Sequence, residues 1–545
     1  MERIYTVGVD FGTLSARALL LDAVSGEQIA SSVFAYPHGV MESMLPDGTQ
    51  LGEGFALQHP EDYLVALRET VVGVLQKSGV KKEAVVGLGI DFTSCTLLPI
   101  LADGTPLCQT ARFGSEPHAW VKLWKHHGAQ YETERMTEVA KARGETFLER
   151  FGGKFFSEWG LPKIYETLRN APEVFDAADR FVEAGDWLTL LLTGEVCTSA
   201  IFAALKFNCE ADRGFPSDDF LRAVDPRLEG LVGTKLCDRV LKASERAGKL
   251  SAQGAELTGL CEGTPLSVPI IDAEAAIPAL GITDEGVLML VLGTSGCHVI
   301  HSKQMRPVHD ICGYVKDGVV PDLYTYEAGQ SGLGDCFDWF VKNCVPEHYS
   351  KEARERGMKI HAYLREKARA LGVGESGLVV LDWLGGNRSV LQRSELSGLI
   401  LGLRLDTKPE EIYRALIEAT AFGTRTIVET FVRQGVEIGE IRAAGGIAQK
   451  DDLLMQIYAD VCARPIHVYD TEQAGALGSA IYAAVAAGVY PSLTEACDAL
   501  AAKPARTYLP NPENTHAYDA LYAEYTTLYD YFGRGTNDVM KRLKG

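Results

Sequence analysis

The sequence lacks the segments that mark membrane or exported proteins. Its 545 residues contain no apolar run near the roughly 18 residues that a membrane-spanning helix needs. The chain runs from Met1 to Asp10 without the apolar region of a signal peptide. We therefore expect a cytoplasmic protein that makes no membrane contact.

Cysteine motifs and positive charge are also scarce. The 12 cysteines are irregularly spaced and form no C-x-x-C pair, which argues against a disulfide framework or a zinc site. Lys and Arg total 53 against 73 Asp and Glu, a formal net charge of −20, which argues against nonspecific nucleic-acid binding because such binding needs a basic face. Hydrophobic residues make up 46% of the chain, which excludes disorder as the main state.

The chain does contain alternating apolar strands and amphipathic helices, and the alternation occurs twice. Such a pattern predicts α/β layered domains with mixed sheets. We predict strands at 5–10, 16–22, 28–34, 85–91, 286–292, 297–301, 441–444 and 465–469. We predict helices over 60–77, 410–433, 451–462 and 473–487. Turn-forming residues cluster near 280–286, so we place a boundary there between domains 1–283 and 284–545.

Each half opens on a hairpin whose tip is rich in glycine and hydroxyl residues. The first tip is Gly12-Thr13-Leu14-Ser15 and the second is Gly293-Thr294-Ser295-Gly296. Exposed backbone N–H groups and hydroxyls suit phosphate oxygens. Either tip alone could be an ordinary β-turn, but the matched pair favours ATP. Asp10 precedes the first tip and is a candidate partner for Mg²⁺, directly or through water.

Four further positions could carry chemistry, and each has a structural alternative. Gly445 and Gly446 follow a strand and could admit a flat ring or simply make a tight connection. Asp272 ends an apolar strand, where it could be a general base or a helix N-cap. Glu327 stands at a similar corner and could also be a cap, and Lys206 is a lone cation that would usually extend to solvent.

Two other patterns carry no predicted site. The glycines of a G-x-G-x-x-G at 372–377 precede a strand instead of following one, so we interpret them as a helix stop and turn. The segment 118–127 is predicted to be helical, with Trp120, Leu123 and Trp124 on one packing face. The adjacent His126 and His127 would then point apart and could not form a metal pair.

Longer segments resemble one family nearly end to end, the FGGY carbohydrate kinases. These are VGVDFGTLSARALLLD (7–22), LQHPEDYL (57–64), GIDFTSCTLLP (89–99), HAWVKLWKHHGAQ (118–130), GGKFFSEW (152–159), EAGDWLTLLLTG (183–194), DPRLEG (225–230), LGTSGCHV (292–299), YEAGQSGLGD (326–335) and GGIAQKDDLLMQIYADV (445–461). The resemblance implies two actin-like, ribonuclease H-like ATPase domains around a central cleft. The N-terminal domain would bind sugar and the C-terminal domain nucleotide.

The resemblance also implies roles for individual residues, with ATP and Mg²⁺ as cofactors and Asp10 near the metal. The first phosphate loop would supply Gly12, Thr13, Ser15 and Arg17, and the second Gly293, Thr294 and Ser295. The adenosine site would be Gly445, Gly446 and Gln449. Asp272 would be the catalytic base, and the sugar would be lined by Ser94, Lys206, Asp272 and Glu327.

The implied reaction is transfer of a phosphoryl group to the 5-hydroxyl of L-ribulose. Ser94 stands where the family commonly has a small apolar residue, and Glu274 follows Asp272 where His is expected. These departures leave D-ribulose, D-xylulose or ribitol as alternative acceptors. A non-catalytic sugar sensor is a further alternative, although both tips and Asp272 are present. A homodimer would be compatible with the family, and no nucleic-acid partner is expected.

Overall fold

A computed structural model describes residues 3–311, 313–471 and 473–544. It contains strands β1 Tyr5–Phe11, β2 Ser15–Asp22, β3 Gln28–Ala35, β4 Leu57–Gln58, β5 Val85–Phe92, β6 Leu97–Ile100, β7 Val121–Lys122, β8 Arg180–Glu183, β9 Thr198–Ser199, β10 Val240–Leu241, β11 Arg246–Lys249, β12 Pro265–Ser267, β13 Ile270–Ile271, β14 Gly286–Leu292, β15 Gly296–Ser302, β16 Gly313–Lys316, β17 Tyr324–Gln330, β18 Val379–Leu381, β19 Leu399–Leu401, β20 Ile438–Ala444, β21 Ile466–Tyr469 and β22 Pro504–Tyr508.

The helices are α1 Pro60–Ser78, α2 Gln130–Arg143, α3 Phe147–Arg150, α4 Gly160–Asn170, α5 Pro172–Ala177, α6 Ala184–Thr193, α7 Ala200–Phe207, α8 Asp218–Val224, α9 Leu231–Lys235, α10 Ala252–Thr258, α11 Asp272–Ala279, α12 Gly334–Cys344, α13 Glu347–Glu355, α14 Ile360–Arg369, α15 Pro409–Arg433, α16 Gly446–Lys450, α17 Asp452–Cys462, α18 Ala474–Ala486, α19 Leu493–Leu500, α20 Pro512–Gly533 and α21 Val539–Lys544. Within the described ranges, none of these helices is long and apolar enough to cross a membrane.

The first compact unit is built on a mixed sheet in the order β11-β12-β5-β1-β2-β3, with β13 beside β5. Strand β1 is antiparallel to β2 and parallel to β5, as the alternation of strands and helices predicts. Every residue of β1 is buried, which explains its nearly continuous apolar sequence. Helix α1 packs against β2 and β3, and α18 packs against β1 and β5.

Helix α18 lies close to the first sheet because the strands have glycine where they meet it and the helix sequence is rich in small residues. A Cβ added to Gly8 would lie 1.9 Å from the Ala476 carbonyl oxygen, and one added to Gly89 would lie 1.9 Å from that of Ser479. The helix sequence, AGALGSAIYAAVA, is correspondingly small. Close backbone packing therefore selects glycine in the strands and small residues in the helix.

The second unit repeats the same scheme in the order β17-β15-β14-β20-β21-β22. Strands β14 and β15 form an antiparallel hairpin, and β14 is parallel to β20. The two hairpin tips close alike: Gly12 N donates to the Ser15 carbonyl at 3.1 Å, and Gly293 N donates to that of Ser295 at 3.0 Å. The internal duplication seen weakly in the sequence is therefore a duplication of hairpin plus parallel strand.

The compact units differ from the contiguous domains 1–283 and 284–545. The first unit runs to Asp284, but it also takes in 313–325 and 473–502. The second unit comprises the remaining described residues. Segment 473–502 joins the first unit because it contains α18, which covers the first sheet.

The predicted helix at 118–127 is wrong. This segment holds a short 3₁₀ turn at Pro117–Ala119 and then β7, which pairs with β4 and β6. Trp120 is buried whereas Trp124 is 42% exposed, so the two rings share no face. Pairing with strands distant in the sequence prevails here over a spacing that only appears helical.

Candidate active site

Three carboxylates gather at the C-terminal edge of the first sheet. Asp10 lies one residue before the end of β1, and Asp91 is its register partner on β5. Asp272 begins α11 directly after β13, whose Ile270 pairs with Asp91. This edge is where open α/β sheets bind their ligands.

The three acids influence one another electrostatically. Burial raises the pKa of Asp91 well above its usual value, and the charges of Asp10 and Asp272 raise it further. Burial likewise raises the pKa of Asp272 to about 7, with Asp10 adding to the shift while Lys206 and Arg17 oppose it. An acid with a pKa near 7 can accept and release a proton at neutral pH.

Hydrogen bonds fix the orientation of these carboxylates. Arg17 lies opposite Asp10 on β2, and its Nη1 donates to Asp10 Oδ2 at 3.0 Å. Ser479 Oγ on α18 donates to Asp91 Oδ2 at 2.6 Å. Asp272 Oδ1 accepts from the Ala273 backbone N–H at 2.8 Å, and the N-cap of α11 is the preceding residue instead of Asp272.

The donor set at this edge fits a hard divalent cation. Carboxylate oxygens are the ligands that Mg²⁺ prefers in proteins. Asp91 Oδ1 is buried and, among the described residues, has no hydrogen-bond partner. A cation beside Asp10 would also offset the mutual repulsion of the three acids.

The first hairpin tip is held from outside by two side chains that the sequence did not single out. Gln58 Nε2 donates to the Thr13 carbonyl at 2.7 Å, and Trp124 Nε1 donates to Thr13 Oγ1 at 3.1 Å. Leu14 at the tip is 60% exposed. Gln58 lies in the segment LQHPEDYL, and that segment was the signal that could have identified it.

Lys206 lies within electrostatic reach of Asp272 and of the turn that holds Ser94, in the same unit. Lys206 is buried in α7, and its charge opposes the rise that burial causes in the pKa of Asp272 and in that of Cys95. Cys95 is the neighbour of Ser94 in the turn that follows β5. Lys206 therefore does not extend to solvent, and the first unit brings Asp10, Arg17, Lys206 and Asp272 together with this turn.

The second unit contains a cavity of about 320 Å³ beside its hairpin tip. Pockets of this size accommodate small-molecule ligands. It is lined by Gly293, Thr294, Gly334, Asp335, Phe337, Asp338, His361, Arg365, Tyr413, Gly446, Ile447, Lys450 and Asp451. Three predicted nucleotide residues, Gly293, Thr294 and Gly446, are among them, and Ser295 follows Thr294 in the tip.

The backbone conformation at position 445, next to the cavity, requires glycine. Its φ is +99°, and an added Cβ would lie 2.5 Å from the Leu292 carbonyl oxygen. Gln449 does not line the cavity, because its Nε2 donates to the Thr471 carbonyl at 3.2 Å. The wall also includes the ring pair Phe337–Tyr413, 5.4 Å between centroids, which no sequence motif indicated.

Glu327 lies on β17 in the second unit, away from any helix N-cap. Arg388 Nη2 donates to Glu327 Oε1 at 2.6 Å. The guanidinium lies against the strand backbone, since a Cβ on Gly329 would be 3.0 Å from Arg388 Nη1. Arg388 therefore holds Glu327 in a fixed orientation, as a sugar-binding side chain would need.

A group of metal-ligating side chains elsewhere does not form a ready site. His38, His59 and Asp62 have candidate ligand atoms within 4.8 Å of one another. However, the two imidazoles stack with centroids 4.3 Å apart and planes 15° from parallel. An ion must lie in the plane of each ring that binds it, and two stacked planes share no such point. His38 Nδ1 is instead bonded to Asp62 Oδ1 at 2.7 Å.

Family comparison agrees with this architecture. The model of the FGGY family of carbohydrate kinases, N-terminal domain, matches residues 5–279, and that of the C-terminal domain matches 288–487. The chain therefore belongs to the FGGY family of carbohydrate kinases, enzymes that phosphorylate sugars with ATP.

Within the family, the chain is similar over its whole length to ribulokinases. The ribulokinase of Geobacillus thermodenitrificans is 48% identical over 549 residues, covering 100% of this chain and 97% of the relative. That of Mycolicibacterium smegmatis is 45% identical over 542 residues, covering 99% and 96%. The predicted family resemblance and the predicted class of enzyme are confirmed.

Solved structures show the same fold at low sequence identity. A xylulose kinase from Rhodospirillum rubrum has a TM-score of 0.79 at 22% identity, covering 96% of this chain and 98% of that one. A gluconate kinase from Lactobacillus acidophilus has a TM-score of 0.80 at 19% identity, covering 98% and 99%. The predicted actin-like, two-domain α/β fold is confirmed.

Proposed function

We propose that this chain transfers the γ-phosphoryl group of ATP to the 5-hydroxyl of L-ribulose, giving L-ribulose 5-phosphate and ADP. Full-length similarity to ribulokinases supports the substrate. The chemistry is supported by one observation above all. Asp272 opens a helix at the ligand-binding edge of the sheet, with its pKa raised to about 7 and the ammonium of Lys206 within electrostatic reach.

Asp272 acts as the general base. As the sugar 5-oxygen bonds to the γ-phosphorus and the bond to ADP breaks, the hydroxyl proton passes to the Asp272 carboxylate. The proton leaves late in a loose transition state, so a weak base suffices. Lys206 donates charge-assisted hydrogen bonds to sugar oxygens, Glu327 accepts them from hydroxyls, and Ser94 lines the sugar.

The two hairpin tips bind the phosphates through backbone N–H groups and hydroxyls. These residues are Gly12, Thr13 and Ser15 with Arg17 in the first unit, and Gly293, Thr294 and Ser295 in the second. Gly445 and Gly446 belong to the adenosine site, and Gln449, whose side chain donates to the Thr471 carbonyl, supports that site from outside the cavity. Asp10 holds Mg²⁺, which when bound neutralises charge on the phosphate oxygens.

The test of the base is Asp272→Asn. We expect kcat to fall by about 10²–10⁴ while L-ribulose still binds, because only proton acceptance is lost. Asp382→Asn is the matched control, since Asp382 is also buried with a pKa of about 7 but lies in the second unit, bonded to Gln330. Near-normal turnover in Asp272→Asn would remove Asp272 as the base.

The test of the substrate is ADP release with Mg·ATP against a panel of L-ribulose, D-ribulose, L-xylulose, D-xylulose, ribitol and glycerol. We expect the highest kcat/KM for L-ribulose. Preference for another compound of the panel would keep the assignment as a kinase and change only the acceptor. No turnover with any of them would favour a sugar sensor.

A further inference from the structure

The turn that carries Ser94 is held in a conformation its sequence would rarely adopt alone. It connects β5 to β6, and Cys95 has a φ of +56°, in the left-handed region. Non-glycine residues occupy that region mainly where their surroundings impose it. Inside the turn, Thr93 Oγ1 and Thr96 Oγ1 lie 2.8 Å apart.

A buried ammonium holds one side of this turn. Lys163 on α4 is fully buried, and its Nζ donates to the Cys95 carbonyl at 2.6 Å and to the Leu123 carbonyl at 2.8 Å. Burial lowers the pKa of Lys163 to about 8. Burying an ammonium is costly, so its two short bonds to backbone carbonyls indicate a specific role. Leu123 also precedes Trp124, which contacts the first hairpin tip.

A buried carboxylate holds the other side. Glu183, the last residue of β8, is 1% exposed, and its Oε2 accepts from the Thr96 backbone N–H at 2.9 Å. Burial raises the pKa of Glu183 to about 7, while the charges of Lys163 and then Lys206 oppose that shift. Glu183 is therefore within electrostatic reach of both lysines.

We propose that Lys163 and Glu183 are positioning residues that fix the sugar-selecting part of the site. The Lys163 ammonium donates to the Cys95 carbonyl and the Glu183 carboxylate accepts from the Thr96 N–H, so opposite charges hold the two sides of the single peptide group that joins Cys95 to Thr96. Lys206 lies within electrostatic reach of the Glu183 charge. This inference rests on the proposed function, which gives Ser94 and Lys206 their contact with the sugar. Neither positioning residue touches the reacting atoms.

Glu183→Gln separates positioning from folding. Glutamine keeps an oxygen that can accept from Thr96 but removes the charge that strengthens this bond and attracts Lys206. We expect the KM for L-ribulose to rise about tenfold or more, with kcat within about threefold and the KM for ATP unchanged. Glu132→Gln is the matched control, because Glu132 is equally buried but pairs with Arg169 at 2.5 Å, away from the turn. An unchanged sugar KM, or an equal rise for ATP or in the control, would overturn the proposal.

Hydrogen exchange provides a readout that does not depend on turnover. In full-length Lys163→Met without substrate, we expect faster exchange in a peptide spanning 90–100 than in wild type, because the Cys95 carbonyl loses its donor. Unchanged protection of this peptide would overturn the proposal that Lys163 holds the Ser94 turn. If wild type phosphorylates none of the sugars in the panel, the proposed function fails, but this measurement still tests whether Lys163 holds the Ser94 turn. If Lys163→Met does not fold, Glu183→Gln decides the proposal.

Discussion

Replacing Gly478 with alanine should displace Asp272 without replacing any residue of the candidate active site. Gly478 lies where α18 crosses α11, and an added Cβ would lie 1.7 Å from the Ala275 carbonyl oxygen of α11. The obstructing atom belongs to a helix backbone, so it cannot rotate aside. The two helices must separate by more than about 1 Å, and α11 begins at Asp272.

The magnitudes follow from this displacement. Overpacking costs about 1–3 kcal/mol of unfolding free energy, partly offset by up to about 1 kcal/mol from the better helix propensity of alanine. A shift of about 1 Å in a catalytic group can cost about 10²-fold in rate. We therefore expect a modest loss of stability with a large loss of kcat.

Thermal unfolding and steady-state kinetics with L-ribulose and Mg·ATP measure the two effects. Gly233→Ala in α9 is the matched control, because an added Cβ there meets no atom within 4 Å. It should leave kcat unchanged and leave stability unchanged or slightly higher. Wild-type kcat and Tm in Gly478→Ala would refute the close approach of α18 to α11.

Three further outcomes are expected. The kcat/KM should fall about tenfold per pH unit below pH 7 as Asp272 takes up its proton, and a flat profile from pH 5 to 8 would contradict its role. Burial lowers the pKa of His118 to about 3 and of His126 to about 4, so the stability each contributes above pH 6.5 is lost as the pH falls towards 4. Between pH 7 and pH 5 each histidine should cost about 2 kcal/mol, measured by denaturant titration as the difference between wild type and His118→Gln or His126→Gln, because Asp272, Asp382 and Glu183 titrate in the same range with the opposite sign. A variant whose stability changes with pH as that of wild type does would count against it. In wild type, Lys122 Nζ lies 2.7 Å from Glu166 Oε2. Glu166→Gln removes this buried counter-charge and should lower the free energy of unfolding by about 3–5 kcal/mol in the same titration. A loss under 1 kcal/mol would show that the pair is not buried as described.

Local patterns predicted the strands, the long helices and the two hairpin tips. Strand β14 has the predicted bounds, and α15 begins one residue before the predicted start. Asp10 and Asp272 were also singled out, Asp10 by its place before a glycine-rich tip and Asp272 by its place after an apolar strand, although a helix N-cap was an equally local explanation of Asp272 and its role came from the family resemblance. Periodicity and turn chemistry act over a few residues, so these features can be predicted from sequence alone.

Contacts between distant segments could not be predicted in this way. Asp91 appeared to be the last residue of a strand, and only the register of β5 against β1 places it beside Asp10. Gln58 and Glu183 act on turns more than 40 and 80 residues away in sequence. The helix predicted over 118–127 is wrong for the same reason, since the conformation of this segment depends on pairing with β4 and β6.

The return of α18 to the first sheet has a consequence during protein synthesis. The long segment of the first unit ends at Asp284, yet the helix that covers β1 and β5 begins at Ala474, about 190 residues later. At about 5–20 residues per second, a ribosome takes roughly 10–40 s to make that interval. For that time the glycine-lined face of the nascent sheet lacks its covering helix, so the first part to be made is among the last to be completed.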